Sequence, residues 1–270
     1  MNQDSNKNTS PFWKVTIIGS GGVATNTGKL LKAKGISVIE VLGRSEASTR
    51  ALAEAMQCNY ILNPEQLNQK SDLYIIAIQD KEIAGLIPKI KLPDSSLVVH
   101  TAGGVSIEVF NGFFSHYGVL YPLQSLRKET KITPKIPFYL DGNSKETKNK
   151  LEDFCRSAGL DYKWATDLQR IELHIAAVFC SNFTNYLYSL AEKFCEDRGL
   201  EFAPLLPIIE ETASRLSREK TSPSALQTGP AIRGDQPTLD KHLSLLEGSF
   251  EADEVYRFLT AKIMASKLFK

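Results

Sequence analysis

Lys14-Val-Thr-Ile-Ile-Gly-Ser-Gly-Gly-Val-Ala24 is the stretch on which the fold is decided. A short apolar, β-branched run passes directly into Gly19-x-Gly21-x-x-Ala24, and the residues that follow, with Leu30, Leu31 and Ala33, have helical spacing. Strand, glycine turn and helix in that order is the context that gives a GxGxxA pattern its meaning. Gly19 permits a tight turn, Gly21 lets the backbone approach a pyrophosphate, and Ala24 lets the helix pack close to the strand. The uncapped amides of the helix start, around Ser20, Gly22 and Val23, then offer hydrogen bonds and a positive dipole end to the phosphates. The residues predict a dinucleotide site; a glycine-rich turn in some other α/β fold is the competing reading.

The second strand, Ser37-Val-Ile-Glu-Val-Leu42, ends in Gly43-Arg44-Ser45. Sites for NAD usually place Asp or Glu at this tip to accept from the ribose 2′-hydroxyl. Glu40 lies inside the strand, too early for that task, and the tip carries a cation and a hydroxyl. Arg44 can fork onto a 2′-phosphate and Ser45 can donate to it, so NADP is the expected cofactor. The alternative for Arg44 is an ordinary solvated arginine.

Composition narrows the function classes. Across 270 residues, 42% hydrophobic and 23% charged content is that of a globular protein. Lys and Arg number 32 against 31 Asp and Glu, which gives no basic field for nucleic acid. No apolar run reaches membrane-spanning length. The first residues are polar and without the apolar centre of a signal peptide, so 1–12 are read as a disordered tail and the protein as cytoplasmic. Cys58, Cys155, Cys180 and Cys195 form no CxxC pair or His/Cys cluster, so reduced thiols and no metal site are expected.

From Trp13 to about Trp164 apolar β-rich runs alternate with helical stretches. The runs are Val15–Ile18, Val38–Leu42, Leu73–Ile78, Leu97–Val99, Gly118–Leu120 and Phe138–Leu140; the helices are Ala47–Met56, Lys81–Ile87 and Lys145–Ala158. Alternation of this kind predicts a doubly wound α/β domain with a mainly parallel sheet, over 13–165. Beyond it, Asp167 to Arg198 lacks Pro and Gly and keeps helical spacing, which predicts a long, mostly buried helix closed by Gly199. Further helical segments follow, interrupted between Glu219 and Gln236 by Pro223, Gly229, Pro230 and Gly234. The range 166–270 is expected to be an all-helical substrate and dimerisation domain.

A dinucleotide domain followed by one long helix that opens a helical domain resembles the 6-phosphogluconate dehydrogenase-like oxidoreductases. Pyrroline-5-carboxylate reductase, ketopantoate reductase and 3-hydroxyisobutyrate dehydrogenase are relatives in that superfamily. The closer resemblance is to a Rossmann-like branch labelled as NADP oxidoreductases, deazaflavin-dependent. It rests on Val99-His-Thr-Ala-Gly103, Tyr121-Pro-Leu-Gln-Ser125, His174-Ile-Ala-Ala-Val-Phe-Cys-Ser-Asn182 and Thr228-Gly-Pro-Ala-Ile-Arg-Gly-Asp235, and spans nearly all of 13–270. A deazaflavin partner is implied by that label alone, and nothing in the sequence marks a site for it. The hydroxyacid dehydrogenases carry a catalytic Lys about one turn before an Asn on the long helix. Aligning Asn182 with that Asn puts Val178 at the Lys position, and no lysine lies between Lys163 and Lys193. Imine reduction, as in pyrroline-5-carboxylate reductase, does not need that Lys.

Ligands of open α/β sheets bind beyond the carboxyl ends of the strands. The resemblance implies that Gln79 and the loop of Thr101, Ala102 and Gly103 flank the nicotinamide ribose and ring. The facing wall is expected from the long helix, with Asn182 holding a substrate carbonyl or the nicotinamide amide. His174 or His100 is a candidate proton donor, because imidazole titrates near neutrality. Each histidine has an alternative as a packed, hydrogen-bonded side chain, and Asn182 as a buried polar group with partners. Gln124, Thr228 and Arg233 are candidate substrate contacts, Arg233 alternatively pairing with Asp235 or capping a helix. Two functions follow: an NADP-dependent reductase of a small carbonyl or imine with a carboxylate, or a non-catalytic NADP-binding or sensing protein. In the second, Val178 marks lost chemistry. A homodimer formed through the helical domain is expected, with no nucleic acid and no membrane partner.

Overall fold

The computed structural model describes residues 13–132 and 134–266; the tail expected at 1–12 lies outside them. The strand and helix order is β1 (Lys14–Ile18), α1 (Gly22–Ala33), β2 (Ser37–Leu42), α2 (Glu46–Met56), β3 (Asn59–Ile61), β4 (Leu73–Ile76), α3 (Asp80–Leu86), β5 (Leu97–His100), β6 (His116–Pro122), β7 (Phe138–Gly142), α4 (Lys145–Ser157) and β8 (Tyr162–Trp164). There follow α5 (Asp167–Val178), a π-helical segment (Phe179–Phe183), α6 (Thr184–Asp197), α7 (Leu206–Glu219), α8 (Pro230–Arg233), α9 (Gln236–Leu246) and α10 (Phe250–Ala265). Two compact units result, Met1–Cys180 and Ser181–Lys270.

The first unit is built on an eight-stranded sheet in the order β3-β2-β1-β4-β5-β6-β7-β8. All neighbours run parallel except β6 and β7. Central strands read as continuous apolar runs because both faces are covered by helices. All four residues of β4, Leu-Tyr-Ile-Ile, are accordingly buried. Two apolar clusters line the two faces, one around Ile17, Ile75 and Phe154 and the other around Ile76, Val98 and Phe110. The strand order reverses between β1 and β4, which places the ligand-binding crevice at their carboxyl ends. The sheet also contains β3 and β8, two three-residue strands that the apolar pattern did not announce.

Helix starts follow their capping chemistry. Ser144 accepts from Thr147 N at the start of α4. Thr166 and Gln169 form a reciprocal capping box that fixes where α5 begins. Gly199, at φ 66°, closes the turn after α6 as expected. In the second unit α10 packs against α6, α8 and α9. Asp235 caps α9, accepting from Thr238 N at 3.3 Å and from the Thr238 hydroxyl at 2.9 Å, rather than pairing with Arg233.

Two expectations about the long helix are corrected. Its α-helical spacing does not run through, because Phe179–Phe183 winds as a π-helix and breaks the 3.6-residue repeat. Nor is it mostly buried: between Asp167 and Asp197 only Arg170 and Cys195 are fully buried. Leu168, Ile175, Phe179 and Phe183 are all more than half exposed. The apolar periodicity identified a hydrophobic face correctly, but periodicity carries no information about what covers that face.

Candidate functional site

The glycine turn has the shape a pyrophosphate needs. Gly19 sits at φ +125°, and a Cβ there would lie 2.1 Å from the Ala77 carbonyl oxygen. The turn is pressed against the end of β4, with Gly19 N donating to Leu42 O at 2.7 Å. Gly21, in contrast, has nothing within 4 Å of where its Cβ would point. The α1 start has no side-chain cap and no acidic residue in its first turn, so its first amides are left without a side-chain partner. Ser20 is half-buried and its hydroxyl shares a 2.8 Å hydrogen bond with Ser48 of α2. Ala24 is fully buried and Val23 partly so, which packs α1 onto the sheet.

Gly22 and Asn26 tie a second loop to this turn. A Cβ on Gly22 would come within 2.1 Å of Leu126 O. The fully buried Asn26 donates through Nδ2 to Arg127 O at 2.8 Å and to Gly22 O at 2.9 Å. The Leu123–Arg127 segment is thereby held over the start of α1. Gln124 is exposed there and occupied within its own neighbourhood, donating to Lys135 O at 3.2 Å and accepting from Ser125 N at 2.9 Å.

At the tip of β2, Arg44 is largely exposed and pairs with Glu82 of α3 at 3.3 Å. Such an exposed pair is weak and readily exchanged for a better anion. Ser45 is the N-cap residue of α2 and leaves its hydroxyl out of the cap, while its carbonyl accepts from Thr49 Oγ1 at 2.6 Å. Arg44, Ser45, Ser48 and Ser20 therefore bring one cation and three hydroxyls to adjacent segments; Ser48 was not anticipated from the sequence.

The loop after β5 is gripped from α5. Arg170 is fully buried. Its Nε donates to Gly103 O at 3.3 Å, and its Nη2 donates to Val105 O and, at 2.7 Å, to Asp167 Oδ1. Asp167 also accepts from the Ser106 hydroxyl and from Ile107 N at 3.1 Å. Burial pushes the Asp167 carboxyl up, but the hydrogen bonds from Ser106 and Arg170, with the arginine charge, outweigh it and hold it below the ordinary range. This clamp was missed, because an Asp and an Arg three apart on a helix look like a solvated surface pair. Thr101 and Ala102 are buried in the gripped loop, and Gln79 is exposed at the start of α3.

Of the candidate histidines, His100 is fully buried and packs on Phe110 with ring centroids 5.5 Å apart. Its Nδ1 accepts from Ala102 N at 3.2 Å. Burial, with the Arg170 charge second, pushes its pKa down to about 4, so the ring is neutral at physiological pH. A neutral buried imidazole is a packing group and a poor proton donor. It has a stability consequence. The unfolded chain binds the proton near pH 6.5 and the folded chain only near 4, so stability is lost as pH falls through that window. The expected loss is about 3 kcal/mol between pH 7 and 4 from this group. Denaturant titrations of the parent protein and His100→Gln across that range check it; identical pH slopes for the two proteins would refute the assignment.

His174 is exposed on α5, and its Nδ1 lies 3.0 Å from the hydroxyl of Tyr121 at the end of β6. Both rings crowd Gly103, where a Cβ would lie 2.8 Å from His174 Nδ1 and 3.2 Å from Tyr121 Cε2. Tyr121 is buried; burial raises its pKa, Arg170 lowers it and Asp80 raises it, with a net upward shift. His174, Tyr121, Gly103 and Arg170 thus form one cluster at the carboxyl edge of β5 and β6; His174 and Gly103 were candidates from the sequence, whereas Tyr121 stood there only within a motif and Arg170 not at all. The other candidates lie in the second unit. Asn182 is exposed within the π segment; Thr228 precedes α8 and is exposed; Arg233 ends α8 and is exposed. Among the described residues no group of His, Cys, Asp or Glu is placed to hold a metal ion. No described helix is long and apolar enough to cross a membrane.

Comparison with known proteins gives these features a family. Residues 1–123 match the model of a Rossmann-like domain, and residues 136–263 match a domain of unknown function, DUF2520. No curated protein matches the sequence. Among solved structures, that of the "putative NADP oxidoreductase BF3122" from Bacteroides fragilis is 33% identical, covering 94% of this chain and 98% of that one, with a TM-score of 0.84. Protein TM1727 from Thermotoga maritima shares the fold at 21% identity and a TM-score of 0.67, with 94% and 98% of the two chains covered. The NADP-bound pyrroline carboxylate reductase of Plasmodium falciparum shares it at 16% identity and 0.58, with 94% and 98% covered. The chain therefore belongs to the same oxidoreductase-like family as the Bacteroides protein, a Rossmann-like domain joined to a DUF2520 domain.

Proposed function

We propose that the protein is an NADP-dependent oxidoreductase that reduces a small carbonyl or imine bearing a carboxylate. The observation that carries the cofactor is the contrast between Gly19, sealed against Ala77 O, and Gly21, open on the side a pyrophosphate would occupy. The residues fit NADP: the uncapped start of α1 takes the pyrophosphate, and Arg44 with Ser45 and Ser48 takes the 2′-phosphate. When bound, NADPH supplies the hydride. Thr101, Ala102 and Gly103, fixed by Arg170, form the floor against which the nicotinamide lies, with Gln79 at its edge. Relatives at the level of fold, such as the imine reductase from Pseudomonas, act on imines by name, which supports the substrate class. Asn182, Thr228 and Arg233 are proposed to handle substrate, Arg233 through a bidentate grip on a carboxylate.

The test is titration of NADPH and NADH against the parent protein and Arg44→Asp. The parent is expected to prefer NADPH, and the variant to lose at least about tenfold in NADPH affinity, as a carboxylate repels the 2′-phosphate and accepts from a 2′-hydroxyl. Equal affinity of the parent for both cofactors would sink the cofactor reading. The second reading, an NADP-binding protein without turnover, is favoured by Val178 in place of the superfamily lysine. NADPH binding with no oxidation across a carbonyl and imine panel would select it.

We also propose a homodimer. Leu168 and Ile175 of α5 and, in the second unit, Leu206 and Ile208 of α7 are each more than half exposed in one chain, apolar surface of the kind that a second copy covers. Light scattering is expected to give twice the 30.0 kDa chain mass at micromolar concentration; a monomer there would remove the idea.

A further inference from the structure

We propose that Tyr121 is the group that protonates the substrate, and that His174 positions and resupplies it. The inference rests on the reductase reading above. Hydride addition to a ketone carbon leaves an alkoxide that must receive a proton, so a reductase of ketones needs a donor beside the nicotinamide floor. Gly103 belongs to that floor, and two titratable side chains press on it. His100, the other histidine at this strand edge, is sealed and neutral.

The two members of the pair are unlike in a useful way. Tyr121 is buried, at 7% relative exposure. Burial first, then Asp80, raises its phenol, and Arg170 opposes them without reversing the shift, so the proton stays on oxygen until a stronger base arrives. An alkoxide is such a base. His174 is exposed and touches Tyr121 through Nδ1 at 3.0 Å. One nitrogen therefore faces the phenol while the other side of the ring has access to water. The charged groups facing the pair are Asp80 at the start of α3, beside Gly104, and Arg170 one helical turn before His174.

The step balances as follows. The hydride forms the new C–H bond at the carbonyl carbon, and the C=O π pair moves to oxygen. The phenol O–H bond breaks as the substrate O–H bond forms. The resulting phenolate takes the proton from His174 Nδ1–H as Nε2 takes one from water, so no imidazolate forms; the hydroxide is neutralised by solvent protons, and exchange with water returns the ring to its Nδ1–H tautomer. Glycine at 103 is what allows this: any Cβ there would displace the imidazole from the phenol.

Two probes separate proton transfer from hydride transfer. 2-Oxopentanoate needs both. N-methyl-1-pyrrolinium-2-carboxylate is a permanent iminium and needs hydride alone. With Tyr121→Phe, turnover of the ketone is expected to fall about 100-fold or more, while the iminium changes less than about threefold and NADPH affinity is unchanged. His174→Gln is expected to lower kcat for the ketone with KM unchanged and to spare the iminium. A readout without turnover is the ¹⁵N resonance of His174 Nδ1 in NADPH-saturated protein, which is expected to move in Tyr121→Phe. An unmoved resonance, or equal losses on both probes, overturns the pair's role and leaves the reductase reading standing. A parent protein that oxidises NADPH with neither probe overturns that reading, and the pair's role with it.

Discussion

Arg170→Met should lower the unfolding free energy by about 3 kcal/mol, the order expected when a buried guanidinium is removed from two loop carbonyls and a partly exposed carboxylate. Methionine matches the aliphatic stem and is content in a core, so the loss isolates the guanidinium. It would strand the carbonyls of Gly103 and Val105 and the Asp167 carboxylate, all of which Arg170 now serves. Arg170→Lys should recover little, because one ammonium cannot reach in three directions as the guanidinium fork does. Denaturant midpoints with unchanged m-values report the difference. A loss below about 1 kcal/mol would mean that the clamp is structurally idle. Since Arg170 also fixes the loop at Gly103, NADPH affinity should fall alongside stability.

Gly19→Ala and Gly21→Ala form the second experiment, and the two should fail differently. Alanine at 19 meets the Ala77 carbonyl oxygen at 2.1 Å in a backbone conformation, φ +125°, that L residues rarely adopt. Backbone strain and overpacking together should cost about 4 kcal/mol. Alanine at 21 meets nothing within 4 Å, so stability should change by less than about 1 kcal/mol. Its methyl group would instead stand where the pyrophosphate approaches, and NADPH binding should weaken at least about tenfold. Thermal melts with and without NADPH distinguish the two. Undiminished NADPH binding by Gly21→Ala would remove the pyrophosphate from this face of the turn.

The N-terminal architecture was legible because its signals are local. β1 with its glycine turn, and the helices that begin at Lys145 and Asp167, are each written in a few consecutive residues. The strands β3 and β8 were not, since three residues carry too little pattern to separate a strand from a loop. The π segment was invisible because Phe179 to Phe183 has an ordinary helical composition; the extra residue in the turn is a backbone outcome. Arg170 was overlooked because burial of a charge depends on carbonyls more than sixty residues away in sequence. The pairing of Tyr121 with His174, fifty-three residues apart, is of the same kind. Sequence showed which residues had useful chemistry at strand tips, and only the fold decided which of them meet.

The position of β1 in the sheet has a consequence for how the chain reaches its native state. β1 lies between β2 and β4. Its inner edge closes only when Lys14 meets Asp72, through Lys14 N to Asp72 Oδ2 at 2.8 Å and Asp72 N to Lys14 O at 2.9 Å, across 58 positions of chain. Each further parallel pairing, β4 with β5 and β5 with β6, again waits for an intervening crossover. Among the described strands, only β6 and β7 pair antiparallel. During synthesis β1 thus has one finished edge and one bare edge until β4 follows. A sheet assembled from such distant pairings gathers its stabilising contacts late, so refolding belongs in the millisecond-to-second regime or slower. During that interval β1 presents a β-branched edge to any neighbouring chain, and the cell's chaperones are its natural cover.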